Sequence, residues 1–456
     1  MKKKIVFLFL IILIILSAFF IYHHLKIKKT NSEDDTHTLH GIIYDISNKN
    51  LTVKNSSGAF YTFNLLEQQN IANLFLGSTV AIKFRGQLDS SLNIQHVTVK
   101  SIGISACDND IPKAYQDHGI FNKYYNQAYA KLQKLSLDEK IGQLLLVRVP
   151  EKDQLEAIHN YHLGGYILFS RDTKNETKKT LIDKINSYQQ AAKIPLIIAV
   201  DEEGGSVVRI SNNKNLRSSK FSSPQEIYQE YGLEGIKQTT KEMSQLLESL
   251  HINLNLAPVA DVSTNPNDFI YKRSLGQDAK TTAKYIQTVI NTSHDYSVAY
   301  TLKHFPGYGN NLDTHNTFSI DKRSLESLKE NDLIPFQAGI DAKAQVILVS
   351  HNIIKTLDNK YPASLSLPVH NLAREYLGFT GILLTDDLDM DAIKKYTNDS
   401  AVVKAILAGN DMIIVSDYKE AITEIQQALE NKTITEELIN YNVFRILAWK
   451  YYMGLL

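Results

Sequence analysis

The sequence predicts an α/β protein, a (β/α)8 TIM-type barrel preceded by a membrane anchor and a small all-β domain. Three observations carry that expectation. Short apolar, β-branched runs alternate with helical stretches over 114–456. Shorter runs of alternating polarity, separated by turn residues, fill 37–105. An uncharged apolar stretch stands behind three lysines at the start.

Residues 2–4 are all lysine, and 5–22 contain no charge. At ~1.5 Å per residue such a stretch reaches ~27 Å, close to the ~30 Å hydrocarbon core of a bilayer. Residues 1–29 are therefore expected to be an anchor that leaves the following chain outside, at the cell surface. The alternative is a cleaved signal peptide and a secreted protein. Against cleavage, the run exceeds the usual apolar region of ~7–15 residues and ends in Ala-Phe-Phe-Ile-Tyr, a poor cleavage site.

The runs at 41–44, 51–53, 59–63, 79–84 and 94–99 read as strands of a small β-barrel or sandwich, OB-like or SH3-like, over 37–105. They carry no catalytic cluster, so this module reads as a spacer or docking element. Residues 106–113, with Asp-Asn-Asp and a proline, mark its boundary. The runs at 144–147, 165–169, 196–200, 252–256, 298–302, 346–349, 381–384 and 412–415 then supply the strands of a closed barrel over 114–456. An open doubly-wound sheet is the competitor. No Gly-x-Gly-x-x-Gly follows the first run, which counts against a dinucleotide-binding version.

Composition removes several function classes. Lys plus Arg and Asp plus Glu both total 49, giving a formal charge of zero and no broad positive field for nucleic acid. A single cysteine, Cys107, excludes an internal disulfide framework, a multi-cysteine zinc site and an iron–sulfur cluster.

In a (β/α)8 barrel the chemistry sits at the C-terminal strand ends. Those ends read Asp201-Glu202-Glu203, then a segment closing on Asp261, then Lys303-His304, Ser350-His351-Asn352 and Thr385-Asp386-Asp387. Singly, each reads as a helix cap or a turn. Together they offer the dense donors and acceptors that a sugar ring needs. Glycosidic cleavage requires one group at the anomeric carbon and another to protonate the leaving oxygen. Asp386, at the tip of an apolar strand, suits the first role. For the second, Asp313 can hold and orient His315 by hydrogen bond and tune its ring toward neutral pH.

These segments resemble glycoside hydrolase family 3, specifically its β-N-acetylglucosaminidase branch. The likeness starts near Leu135 and runs to the C-terminus through Leu137-Asp-Glu-Lys-Ile-Gly-Gln, Gly164-Gly-Tyr-Ile-Leu-Phe, Val200-Asp-Glu-Glu-Gly-Gly, Ala257-Pro-Val-Ala-Asp-Val, Arg273-Ser-Leu-Gly, Lys303-His-Phe-Pro-Gly, Pro362-Ala-Ser-Leu-Ser and Thr385-Asp-Asp-Leu-Asp-Met. The resemblance implies a retaining mechanism with Asp386 as nucleophile and His315, partnered by Asp313, as acid/base. It assigns sugar binding to Asp201, Arg209, Arg273, Lys303 and His304. It implies no metal or organic cofactor, and a terminal β-linked N-acetylglucosamine of peptidoglycan or another surface glycan as substrate. Two departures stand out. Gly307-Tyr308-Gly309-Asn310 replaces the branch's Gly-His-Gly-Asp, with one residue fewer before Asp-x-His, which alters loop geometry. Helical residues 436–452 leave no room for the second α/β domain that many members carry.

Other readings follow from the same residues. A neutral histidine donor repels an anion less than a carboxylate does, so phosphate can compete with water; a phosphorylase or β-glucosidase variant is one alternative. A degenerate, inactive surface glycan-binding module is another. A zinc hydrolase using His304, His315 and His351 is disfavoured, because Arg148-Val149-Pro150 stands where a His-x-His would be expected.

Overall fold

The computed structural model describes residues 36–47, 49–65, 74–89, 92–105, 107–108, 111–309, 311, 319–389, 393 and 400–456. The expected anchor over 1–29 lies outside the described residues. Among the described residues no helix is long and apolar enough to cross a membrane.

The first module is one antiparallel sheet of β1 (Thr36–Ile46), β2 (Asn50–Asn55), β3 (Phe60–Asn64), β4 (Thr79–Arg85) and β5 (Thr98–Ile104), in the order β3-β2-β1-β4-β5. A parallel bridge between Phe63 and Gln95 brings β3 beside the segment that enters β5, the closure of an OB-type barrel. Strand periodicity puts Leu51, Val53, Tyr61 and Phe63 inside with Val80, Ile82 and Phe84. The fifth strand starts later than the sequence suggests, at 98 instead of 94. The Gln95 side chain accepts from Asp89 N at 2.7 Å and donates to Asp89 O at 2.8 Å, which holds the preceding residues in a loop.

Every apolar run expected in the second part becomes a strand: β6 (Leu145–Arg148), β7 (Gly165–Leu168), β8 (Ile197–Val200), β9 (Leu254–Asn255), β10 (Ala299–Phe305), β11 (Val346–Val349), β12 (Ile382–Thr385) and β13 (Ile413–Val415). They form an eight-stranded sheet in the order β12-β11-β10-β9-β8-β7-β6-β13, with parallel pairing throughout. A further parallel bridge, Leu384 to Met412, joins its two ends and nearly closes the barrel. Most strand residues are buried on both faces, which explains the continuous apolar runs. Helices between strands start at side-chain caps; Ser223 and Glu226, for example, form a capping box at the head of Pro224–Ser249. Gly165 is required by crowding, since a Cβ there would lie 2.3 Å from Ile197 O.

The last helix, Glu436–Tyr452, joins the two parts. Lys54 of β2 is 1% exposed and donates to Asn442 Oδ1 at 3.1 Å, its amine 4.5 Å from the Tyr441 ring centre. Tyr44 Oη donates to Leu407 O at 2.7 Å, Tyr441 Oη donates to Ser56 O at 2.8 Å, and Asn371 brackets Phe60 with hydrogen bonds to both its N–H and its carbonyl. Beneath the strands, Asp411 accepts from Arg374 at 2.6 Å, from Arg445 at 3.0 Å and from Leu383 N at 2.8 Å.

Burial pushes the Lys54 amine down to about 7 from 10.5, against the pull of Asp411 and with added push from Arg374 and Arg445. Below pH ~7 the group is charged in folded and unfolded chains alike. Between there and the ordinary lysine value only the unfolded chain keeps the proton, so stability must rise with pH across that window. Urea unfolding at pH 7.5 and 9.5 should give a steeper rise for wild type than for Lys54→Met, by up to about 1.4 kcal/mol per pH unit. Equal slopes would show that the buried amine does not titrate.

Candidate active site

Parallel pairing places all C-terminal strand ends on one rim, and the described residues expected there come together. Asp201, Arg209, Arg273, Lys303, His304 and Asp386 line one cavity of about 220 Å³. Asp313 and His315 lie outside the described residues; after Asn311 the chain is described again from Ser319.

The cavity wall is an alternating lattice of charge. Lys303, 2% exposed, donates to Asp201 Oδ1 at 2.7 Å and lies 2.5 Å from Glu203 Oε1. Arg273 grips Glu203 with both ends of its fork, Nε to Oε2 at 3.0 Å and Nη2 to Oε1 at 2.6 Å. Burial opposes the charge on Glu203, yet Arg273 and Lys303 hold its carboxyl far below the usual range. Burial likewise works against Lys303, but Asp201 and Glu203 keep its amine above the ordinary lysine value. Both groups therefore stay ionised at neutral pH. Glu203 links the two cations, though it does not itself line the cavity.

His304 follows Lys303 directly, and both consecutive side chains line the cavity, within the stretch Leu302–Phe305 where the register between β10 and β11 shifts. Its Nδ1 lies 2.7 Å from Asp261 Oδ2, and Arg273 Nη2 lies 3.2 Å from its Nε2. A carboxylate acceptor requires the proton on Nδ1, which leaves Nε2 as an acceptor for Arg273. Asp261 also accepts from the backbone N–H groups of His304 and Tyr308. Tyr308, 1% exposed, packs edge-on to His304 and beside Phe269, Val259 and Ile270. The departure at this position thus fills the wall behind His304 and adds no group to the cavity. Asn310 lies outside the described residues.

Arg209 is presented by a turn whose N–H groups, at residues 209–211, all donate to the fully buried carboxylate of Glu202. Its Nε is buried without a hydrogen-bond partner among the described residues, while the residue as a whole lines the cavity. The two adjacent aspartates after β12 differ in surroundings. Asp387 is paired with Arg148, whose guanidinium lies 4.7 Å from the Phe169 ring centre. Burial, with Asp386 and Asp389 adding, holds the Asp387 carboxyl above its usual value despite Arg148. Asp386 takes the Asp387 N–H at 2.8 Å on Oδ1, while its own N–H is fixed to Val349 O at 2.9 Å.

Sequence reasoning did not assign Glu203, Asp261, Asp387 or Arg148 to the site. Each stands at a strand end, so the signal was present, but a carboxylate there also serves as a helix cap, and only the contacts separate the two. His351 belongs to the scaffold: its ring nitrogens meet Ser364 Oγ at 2.7 Å and Asp387 O at 2.9 Å. Among the described residues no group of three His, Cys, Asp or Glu is arranged to hold a metal ion.

Comparison with known proteins agrees with this geometry. The model of the glycosyl hydrolase family 3 N terminal domain matches residues 136–449. The beta-hexosaminidase LpqI of Mycobacterium tuberculosis is 30% identical over 331 residues, covering 69% of this chain and 83% of that protein. Beta-hexosaminidase A of Pseudoalteromonas piscicida is 29% identical over 329 residues, 65% of this chain; the match spans only 54% of that relative's length. Among solved structures, a glycoside hydrolase family 3 beta-N-acetylglucosaminidase from Paenibacillus sp. str. FPU-7 superposes with a TM-score of 0.66 at 30% identity, covering 70% of this chain and 63% of that one.

Because Glu203 is the shared counter-ion of two buried cations, Glu203→Ala should cost about 3–5 kcal/mol of unfolding free energy. Chemical denaturation measures it; a loss below ~1 kcal/mol would mean that the cations find other partners.

Proposed function

The chain belongs to glycosyl hydrolase family 3, and from that premise we propose that it is a retaining, exo-acting β-N-acetylglucosaminidase that forms a covalent glycosyl intermediate on Asp386. The observation that carries this reading is the convergence of Asp386 with Asp201, Arg273, Lys303 and His304 on one small cavity. The names of the relatives above, beta-hexosaminidases and a beta-N-acetylglucosaminidase, support the sugar.

In the first step an Asp386 oxygen bonds to the anomeric carbon while the glycosidic C–O bond breaks and the His315 imidazolium gives its proton to the leaving oxygen. In the second, the neutral ring takes a proton from water as the water oxygen displaces Asp386. The part of His315 and Asp313 rests on the family resemblance and on their place in the sequence soon after β10, whose end forms the same rim. The sugar hydroxyls donate to Asp201 and to His304 Nε2 and accept from Lys303 and Arg273. The Arg209 guanidinium, which also lines the cavity, supplies a further donor. A cavity of about 220 Å³ suits one terminal sugar ring and favours release from a chain end.

The glycan we propose is of the peptidoglycan type or another surface polymer. Residues 1–29 would hold the barrel outside the membrane; recovery of the full-length chain in the supernatant after alkaline carbonate extraction of membranes would contradict this.

Turnover of an aryl β-N-acetylglucosaminide tests the activity. Wild type that binds the sugar without releasing aglycone would end the hydrolase reading. Asp386→Ala should lower kcat/KM by at least about 10⁴-fold. His315→Ala should cost ~10²–10⁴-fold on natural glycans and far less on aryl substrates with good leaving groups; equal losses would remove His315 from the acid role. Mass analysis with added phosphate identifies the acceptor, a sugar 1-phosphate counting against water.

A further inference from the structure

The β module and the barrel enclose a second cleft of about 730 Å³, larger than the catalytic cavity and within the ~300–1,000 Å³ range of small-ligand sites. Its walls follow from strand alternation. On β2 and β3, Thr52, Lys54, Phe60 and Thr62 are among the residues that do not enter the module's core. Lys54 faces the barrel through Asn442, Phe60 both meets Asn371 through its backbone and lines the cleft, and Thr52 and Thr62 line the cleft as a cross-strand pair with hydroxyls 2.8 Å apart. The β4–β5 loop adds Asp89 and Asn93, β1 adds Asp45, and the barrel adds Lys329 and Tyr376.

We propose that this cleft binds a neutral β-linked oligosaccharide of the same class as the glycan whose terminal sugar enters the catalytic cavity. Three observations on the page carry it. The surface used, strands 2 and 3 with the β4–β5 loop, is the one on which OB-type barrels bind oligosaccharides and oligonucleotides. Charge chooses between those two: Asp45 and Asp89 against Lys329 leave an excess of negative charge, which repels a phosphodiester backbone. Aromatic and hydroxyl groups also stand together there. Tyr376 is 50% exposed, a large ring on the rim, and the threonine hydroxyls, carboxylates and the Asn93 amide offer both donors and acceptors. On the barrel side, Ile320–Asp321 pairs with Ile353–Ile354, and the chain runs on from these into the lining residues Leu325, Thr356 and Leu357.

The proposal deepens the hydrolase reading and rests on it for the identity of the sugar, but it is measured by binding. Full-length Asp386→Asn protein is titrated calorimetrically with chitohexaose while saturating N-acetylglucosamine occupies the catalytic cavity. Binding should persist, and Tyr376→Ala should weaken it roughly three- to tenfold. Thr62→Trp, which fills the cleft, should weaken it at least as much; if that variant does not fold, the exposed Tyr376 position carries the test. In an otherwise wild-type chain, Tyr376→Ala should leave aryl-substrate kcat/KM unchanged. Absence of residual binding, residual binding that Tyr376→Ala leaves unmoved, or tighter binding of oligothymidylate in the same cleft would each overturn the proposal. A wild-type enzyme without aryl turnover would sink the hydrolase reading and leave this binding result to be judged by itself.

Discussion

Much of this molecule hangs on the Asp411 carboxylate, buried just before β13 at the N-terminal end of the barrel. It accepts at once from Arg374, from Arg445 and from the N–H of Leu383 in β12. A lone buried carboxylate would carry several kcal/mol of desolvation cost; here two guanidiniums keep its pKa low against that burial. The geometric result is that the strands meeting at the closure of the barrel, the preceding helical segment and the last helix share one atom group. Lys54, from the β module, enters the same field through Asn442. The module is thereby fixed to the floor of the barrel and not merely tethered by its linker.

The opposite face repeats the principle with a different outcome. Glu203 joins Arg273 and Lys303 as Asp411 joins Arg374 and Arg445, but its partners border a cavity where the Asp411 partners are fully enclosed. Around it, Glu202 fixes the turn that presents Arg209, and Asp261 fixes the proton on His304. The residues that can touch a sugar are thus held by carboxylates that do not touch it. Such pre-set orientation limits the ordering cost when substrate binds and keeps donors aimed where charge develops.

The β module uses its two faces differently. One face packs its own core, and the other is divided between contact with the barrel and the lining of the second cleft. Alternation puts all four residues on that face: Lys54 and Phe60 fall beside the last helix and the Asn371 turn, Phe60 also lining the cleft, and Thr52 and Thr62 lie farther along the same sheet surface.

The sequence by itself determined the barrel, because parallel strands buried on both faces must be written as apolar runs, and all eight run positions became strands. It also determined which rim carries chemistry, since polar residues at the ends of such runs have one face to occupy. The β5 boundary was not legible, because the Gln95 hydrogen bonds that displace it depend on a loop contact. Nor was the split between residues that touch the cavity and those that orient them. Glu202 and Glu203 are neighbours of one type, yet one holds a backbone turn and the other two cations. Composition and spacing cannot separate them: the distinction is made by burial and by charges brought from β10 and from the loop before Ala279–Ser293, and only tertiary structure places those within hydrogen-bond reach.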